Sequence, residues 1–502
     1  MKEKIYSVLK HSAVYSFGNI ALKGMGLITL PVITHYLTTS EFGIYGILEI
    51  TIIILAEILT LGQANSILFF NTTKDYQDKK ESVFFTIVAS VLGINIIFTV
   101  IAFVIKILAP ALLISTSNFT IYFAFIIAIS ALRALTSVLI IKLRADEKSS
   151  LFTAVILIKV VSFIGLIFYT VVYLKLSVAG IMYSFLFNEI FILAILLPSM
   201  LTKMKFHFEK EIVMKALKYG FPLVFSAIGI NILNLSDRYL IRYFLDFKAV
   251  GVYDFGYKIA GTLQMFLIIP FNLAIMPLAF KEYKKPGDKR YYSKLMTYLC
   301  FVIIWGGLAL SLFSGFIIKV LGDNKFGGAG IYVPIIITAY IFSAMRNVAS
   351  IGMLLSQKTY YIGIITVVAG LLNIGLNIIL IPIYGVIAAA YTTLIAFIIF
   401  YVVTKILSDR FYNVDYENLK IIKLFAVGII LFIFSELIPF SGIIASSLTK
   451  LAFILAFPLI MLALNFYEDI ELKTIKESFK KLKNPLELKN IITTLLTDAK
   501  KS

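Results

Sequence analysis

Charged side chains set inside long apolar runs are the residues of this sequence with chemistry to offer. Six cations lie there: Lys23, Arg133, Lys159, Arg238, Lys258 and Arg346. The acids are Glu49, Glu57, Glu189, Asp237 and Asp254, with Glu436 in the penultimate run. A charge at bilayer depth costs several kcal/mol and persists where it faces protein or a water-filled cavity. Asp254 and Lys258 are four apart, in the order that favours a helical ion pair. Lys159 and Glu189 sit on neighbouring runs and could pair; both couples read as structural. Asp237 and Arg238 end one run, and Arg238, Arg242 and Asp246 follow at four-residue spacing. That spacing reads as an interfacial ladder. Lys23, Arg133 and Arg346 have no obvious local partner. An arginine fork donates two parallel hydrogen bonds to a phosphate, so these three form the candidate anion site. The competing reading pairs them with Glu49 or Glu57 across the bundle. Asp237, Glu49 and Glu57 are the candidates to titrate with an ion gradient.

The elements that must position these groups are membrane helices. The chain has 502 residues, 60% of them hydrophobic and only 15% charged, with a mean hydropathy of +0.95. Apolar runs recur along its length, each long enough to cross a hydrocarbon core of roughly 30 Å as a helix. Barrel strands would alternate with period two in pieces of about ten residues; these runs are continuous. Fourteen spans are expected: 12–33, 41–62, 83–105, 119–141, 151–172, 177–198, 216–240, 250–280, 295–320, 331–355, 361–381, 384–404, 421–440 and 445–466. The net charge of +18 is not a nucleic-acid footprint. Most Lys and Arg fall in alternate loops, such as Lys203 through Lys218 and Lys281 through Lys294, the positive-inside pattern for a multi-pass protein with both termini cytoplasmic. Tail residues Ile475, Phe479 and Leu482 have the spacing of a helix lying on an anionic leaflet, although a solvated tail reads equally well.

A repeat organises the spans. Shifted by 208 positions, Gly43-Ile44-Tyr45 falls on Gly251-Val252-Tyr253, Phe17 on Phe225, Leu37 on Leu245, and Val178 and Tyr183 on Val386 and Tyr391. The expected organisation is therefore an all-α polytopic membrane protein in four parts. These are a six-helix lobe (1–205), a second six-helix lobe (206–410), two extra transmembrane helices (411–466) and a basic tail (467–502). Such repeats place a substrate site between the halves, with rocking of the halves giving alternating access.

Tyr219 to Pro222, Ser236 to Tyr239, Ala249 to Tyr253 and Ser40 to Tyr45 resemble the bacterial polysaccharide transporter family. That family contains the O-antigen and capsule repeat-unit flippases. It stands with the lipid II flippases and the multidrug and toxin extrusion (MATE) antiporters in one superfamily. The resemblance covers roughly residues 8–405. It implies a V-shaped pair of lobes around a central cavity, with spans 1, 2, 7 and 8 on the inner walls. It further implies an undecaprenyl-diphosphate-linked glycan as cargo, in a bacterial cytoplasmic membrane. A lipid diphosphate entering from the cytoplasm needs cations at the depth of Lys23, Arg133 and Arg346. Arg133 lies about 13 Å along the axis from Lys142, and Arg346 about 18 Å from Lys358. In the lipid II flippase the extra pair of spans grooves the lipid tail; no residue motif carries that over to 421–466.

Other chemistry is not expected. His11, His35 and His207 are far apart, and no P-loop lysine motif appears. Cys300 is the only cysteine, so no intramolecular disulfide exists. No cofactor, metal or catalytic residue is expected, and the glycine-rich stretch from Gly322 to Gly330 reads as a turn. Asn231, Asn234, Gln264, Asn272, Asn373 and Asn377 could bond sugar hydroxyls or tie helices together. Pro31, Pro222, Pro270 and Pro277 would kink the inner helices. The leading function is a flippase that works with membrane lipid, H+ or Na+, and a glycan polymerase of the same pathway. The alternatives are an ion-coupled drug or metabolite antiporter and a membrane-embedded glycan polymerase or ligase.

Overall fold

The computed structural model describes residues 18–108, 119–438 and 442–473, apart from 19 and 23, together with residue 477. Among them are helices and turns, and no strand. Chain order gives α1 (Ile20–Tyr36), α2 (Thr39–Thr60), α3 (Gln63–Thr72), α4 (Lys80–Leu108), α5 (Phe119–Ala145), α6 (Ser149–Ile167) and α7 (Ser177–Leu201). The second half gives α8 (Lys210–Leu235), α9 (Asp237–Phe244), α10 (Phe247–Leu263), α11 (Ile269–Glu282), α12 (Asp288–Gly322), α13 (Tyr332–Ala349), α14 (Ile351–Leu355), α15 (Thr359–Tyr384) and α16 (Val386–Asp409). Then come α17 (Asn418–Leu437) and α18 (Ile443–Ala463). Thirteen helices among the described residues are long and apolar enough to cross a membrane, and the apolar α1 adds a shorter one. The expected start of the first span, and Ile475, Phe479 and Leu482 of the tail, lie outside the described residues.

The repeat is visible in how helices start. Thr38 caps α2 by accepting from the Glu41 backbone N–H at 3.2 Å, and Glu41 accepts in return from the Thr38 N–H at 2.8 Å. Asp246, 208 positions on, caps α10 by accepting from the Ala249 N–H at 2.7 Å. Each cap satisfies a backbone donor that the first turn leaves free. The two capped helices then cross each other. A Cβ on Gly43 would stand 1.9 Å from the Phe247 carbonyl oxygen, and a Cβ on Gly251 would stand 1.9 Å from that of Thr39. Gly43 and Gly251 are equivalent in the repeat, and so are Thr39 and Phe247. The halves therefore touch through the same atoms on both sides of a local two-fold relation, and only glycine permits that approach.

A second glycine pair joins the halves at the lysine-rich end. Leu61 and Gly62 take left-handed backbone conformations (φ 45° and 70°) and turn α2 into α3. A Cβ on Gly62 would meet the Gly220 carbonyl oxygen of α8 at 2.3 Å. Phe69 of α3 stacks on Tyr219 of α8 with ring centroids 5.0 Å apart. The helix α3 was not expected: its ten residues include Gln63, Asn65, Asn71 and Thr72 and do not read as a membrane segment.

Other boundaries moved for local reasons. The span expected over 216–240 is α8 continued by α9, with Ser236 between them still helical (φ −64°, ψ −25°). The stretch read as a turn between Gly322 and Gly330 is a short 3-10 helix over Asn324–Ile331 that leads into α13. A wider π turn over Gln264–Ile268 joins α10 to α11 directly before Pro270. Proline lacks an N–H and crowds the carbonyl four residues back, and a wider turn is one way a helix absorbs it. The helix α10 is buried through Tyr253, Phe255, Tyr257 and Ile259, and the face with Lys258 and Thr262 is partly open. In contrast, α18 exposes Ile444, Leu448, Leu451, Leu455, Leu459 and Leu462 on one face, the spacing of a helix face turned to lipid.

Candidate functional site

A cavity of about 200 Å³ lies between the halves, walled by Gly26, Leu30 and Ile33 of α1, Tyr45 and Glu49 of α2, and Lys258, Thr262 and Gln264 of the α10 segment. One ion pair spans it: Lys258 Nζ is 2.6 Å from Glu49 Oε2. The same ammonium is 3.4 Å from Asp254 Oδ2 one turn away and faces the Tyr45 ring at 4.9 Å. The Asp254–Lys258 couple thus exists as its spacing predicts. Its link to Glu49 was not legible along the chain, because it needs α2 and α10 to cross at Gly43 and Gly251. Gly46 completes the fit: a Cβ there would stand 3.1 Å from Asp254 Oδ2.

Behind Lys258 the charges continue into the core of the second half. Arg238 Nε is 3.0 Å from Asp254 Oδ1, its Nη1 donates to the Asn234 carbonyl at 2.6 Å, and its guanidinium lies 3.9 Å from the Tyr257 ring centroid. The expected ladder of Arg238, Arg242 and Asp246 does not form. Arg242 instead covers the Phe247 ring at 4.2 Å, and Asp246 is occupied as the cap of α10. Burial decides the outcome: Arg238 is held inside the bundle against Asp254 rather than at the surface with Arg242.

Asp237 is fully buried. Tyr253 Oη and Thr393 Oγ1 donate to its Oδ2 at 2.6 and 2.8 Å, and Asn377 Nδ2 donates to its Oδ1 at 2.8 Å. Asn377 Oδ1 accepts from Thr392 at 2.5 Å, and Asn373 Oδ1 is 3.2 Å from Asn377 Nδ2. Asn373 and Asn377 therefore tie α15 to α9 and α16. The set brings one carboxylate, two side-chain amides and three hydroxyls together, and the carboxylate is held by one amide N–H and two hydroxyl donors. No group of three or more His, Cys, Asp or Glu suited to a metal occurs among the described residues.

The first half holds a different cluster. Glu189 of α7 is paired with Lys159 of α6 at 2.8 Å and with Arg133 of α5 at 3.1 Å, and it accepts from Thr136 at 2.8 Å. The Lys159–Glu189 pair is as expected. Arg133 is a correction: it has a partner, on the sixth span rather than at Glu49 or Glu57. A crevice of about 220 Å³ opens beside the cluster, lined by Arg133, Arg144, Lys159, Thr136, Ser137 and Phe152 among others.

The remaining candidates stand apart. Arg346 on α13 covers the Phe400 ring of α16 at 4.7 Å and bonds Asn347 Oδ1, while its buried Nε has no partner among the described residues. Glu57 makes no ion pair among the described residues. Lys23 lies outside them.

Comparison with known proteins agrees with this architecture. The chain superposes on a lipid II flippase, MurJ, in its inward closed conformation, with a TM-score of 0.73 and 15% identity over 91% of this chain and 99% of that one. It also superposes on a MATE family multidrug transporter in an inward-facing conformation, with a TM-score of 0.61 and 14% identity over 81% and 96% of the two chains. An uncharacterized membrane protein of Methanocaldococcus jannaschii is 23% identical over 248 residues, 46% of this chain and 47% of that relative. The chain thus spans about half the length of that curated relative. Residues 8–282, more than half of the chain, match the family described as polysaccharide biosynthesis protein, and the chain belongs to that family.

Proposed function

We propose that the chain is a flippase. It carries an undecaprenyl-diphosphate-linked oligosaccharide, an O-antigen or capsular repeat unit, across a bacterial cytoplasmic membrane without covalent chemistry. The observation that carries this reading is the cavity between the halves, with Glu49 and Lys258 paired across it at 2.6 Å. Family membership and the likeness in fold to a lipid II flippase support it.

The two six-helix lobes, 1–205 and 206–410, rock about the crossing of α2 and α10. The lysine-rich loops and both termini face the cytoplasm. The lipid diphosphate is drawn inward by the cations Arg133, Arg346 and Lys23. Parting of the lobes on one side breaks the Glu49–Lys258 pair or hands it to cargo. Drive comes from the membrane potential, worth about 2.3 kcal/mol per charge per 100 mV, or from H+ or Na+. Asp237, Glu49 and Glu57 are the candidate groups to titrate, and of these Glu49 lines the cavity between the halves. A glycan polymerase of the same pathway receives the product.

An acid on the cavity wall, Glu49, also favours a second reading, an ion-coupled antiporter. Proteoliposomes separate the two. The flippase reading expects lectin-accessible lipid-linked oligosaccharide to appear on the far leaflet. Ion-driven export of a cationic dye with no movement of the glycolipid would select the antiporter instead.

A further inference from the structure

The two halves each build a crevice beside their fifth span, and the two crevices differ in charge. In the second half it lies between α8 and α15, has about 740 Å³, and is lined by Pro222, Tyr360, Ile364, Val367 and other residues without charge. The repeat relates Tyr360, Ile364 and Val367 to Phe152, Ile156 and Lys159, which line the first-half crevice between α1, α5 and α6. The architecture therefore forms without any charge in one half. In the other half it presents Arg133, Lys159 and Arg144.

One carboxylate, Glu189, is shared by the two inner cations, Arg133 and Lys159. Glu189 spends both oxygens on Lys159, and Oε1 also accepts from Arg133. Arg133 is bonded there only through Nε and packs its guanidinium 5.1 Å from the Phe185 ring. No hydrogen bond from its two terminal nitrogens occurs among the described residues, and they can donate in parallel, the geometry that grips a phosphate. Arg144 stands eleven residues further along the same helix, about 16 Å towards the lysine-rich end. The cations thus mark a path from the membrane surface to mid-helix depth, where an unneeded charge would be costly.

We propose that this first-half crevice is a phosphate subsite for a membrane lipid, held by Arg133 and Lys159 at its inner end and by Arg144 at its mouth. The subsite deepens the transport reading by locating where the anionic group is first held, before the cavity between the halves. The shared chemistry is a lipid phosphate, from either a polyprenyl diphosphate or an anionic phospholipid.

The test is binding to the full chain in phosphatidylcholine nanodiscs, read by native mass spectrometry. Undecaprenyl diphosphate and phosphatidylglycerol are the two probes. Arg133→Gln leaves Glu189 paired to Lys159, so the fold is expected to keep its melting temperature. Loss of the parallel donors lowers binding about tenfold, and Arg133→Lys restores part of it. Arg144→Gln lowers it less, and Lys405→Gln, on α16, leaves it unchanged. Preference for undecaprenyl diphosphate assigns the site to the carrier lipid. Equal binding of phosphatidylglycerol assigns it to bulk lipid, and both results support a phosphate subsite. Wild-type affinity for both probes in Arg133→Gln and Arg144→Gln overturns it. Arginine-dependent binding in a chain that moves no glycolipid would keep the subsite and remove the flippase reading.

Discussion

The charged cluster of the first half and that of the second contain the same residue types, yet they are built for different ends. In the second half, Arg238 and Asp254 are 2% and 4% exposed in their side chains, and Asp237 has three donors on its carboxylate. Each of these groups has its partners inside the bundle. In the first half, Glu189 is 1% exposed but Arg133 is 24% exposed, and two cations share that one carboxylate beside an open crevice. A sealed network locks helices together; an open one has capacity left for a ligand.

Breaking the sealed network has the largest expected effect. Arg238→Gln leaves Asp254 with Lys258 alone and Asp237 without its neighbouring cation, and removal of one partner of a buried pair costs about 3–5 kcal/mol. Thermal unfolding in detergent should register a large loss, with poor insertion in cells. A variant as stable as wild type would mean that the network is wetter than its burial indicates. Next comes Val367→Lys, which places a cation in the apolar crevice of the second half. A lysine at helix centre costs about 2.5–3.5 kcal/mol on insertion scales, so a fall in stability is expected without any gain in phosphate binding. A new phosphate affinity there would show that a single cation suffices and would weaken the case for the Arg133 fork. Arg133→Gln should change stability by only about 1 kcal/mol, the range of partly exposed pairs, while transport falls about tenfold. Equal falls in stability for Arg133→Gln and Arg238→Gln would erase the distinction between the halves.

The smallest effect lies at the lysine-rich end, where Glu417 and Glu468 bind Lys294 of α12. Burial raises the pKa of Glu417, but hydrogen bonds from Lys294, Thr297 and Lys420 outweigh it and hold the group at about 2. A depressed folded pKa gives stability that is present above the unfolded value of about 4.3 and is lost as pH falls through the folded one. Wild type should therefore lose melting temperature between about pH 4 and 2 more steeply than Glu417→Gln. Parallel profiles would remove Glu417 from the attachment of α17 and α18.

The sequence made the helices legible because each apolar run is long and bounded by polar loops. The Asp254–Lys258 pair was legible because four-residue spacing is local to one helix. Lys159 and Glu189 were legible as neighbours on consecutive spans. Arg133 was read as unpartnered because its partner sits two spans away, and Arg238 was assigned to Arg242 and Asp246 because those were near in the chain. Burial, not spacing, chose Asp254. The Glu49–Lys258 pair had one signal available, the repeated Gly43 and Gly251, but a repeat does not say that its copies touch. The helix α3 was missed because it is short and polar.

The central claim is that the halves must move against each other around the cavity at Glu49 and Lys258. Glu49→Cys and Lys258→Cys in a Cys300→Ser background can be joined by a short, reducible bifunctional thiol reagent. Flipping of lipid-linked oligosaccharide is then followed in proteoliposomes before and after reduction. The account predicts arrest in the bridged protein and recovery on reduction. Wild-type flipping in fully bridged protein would contradict it.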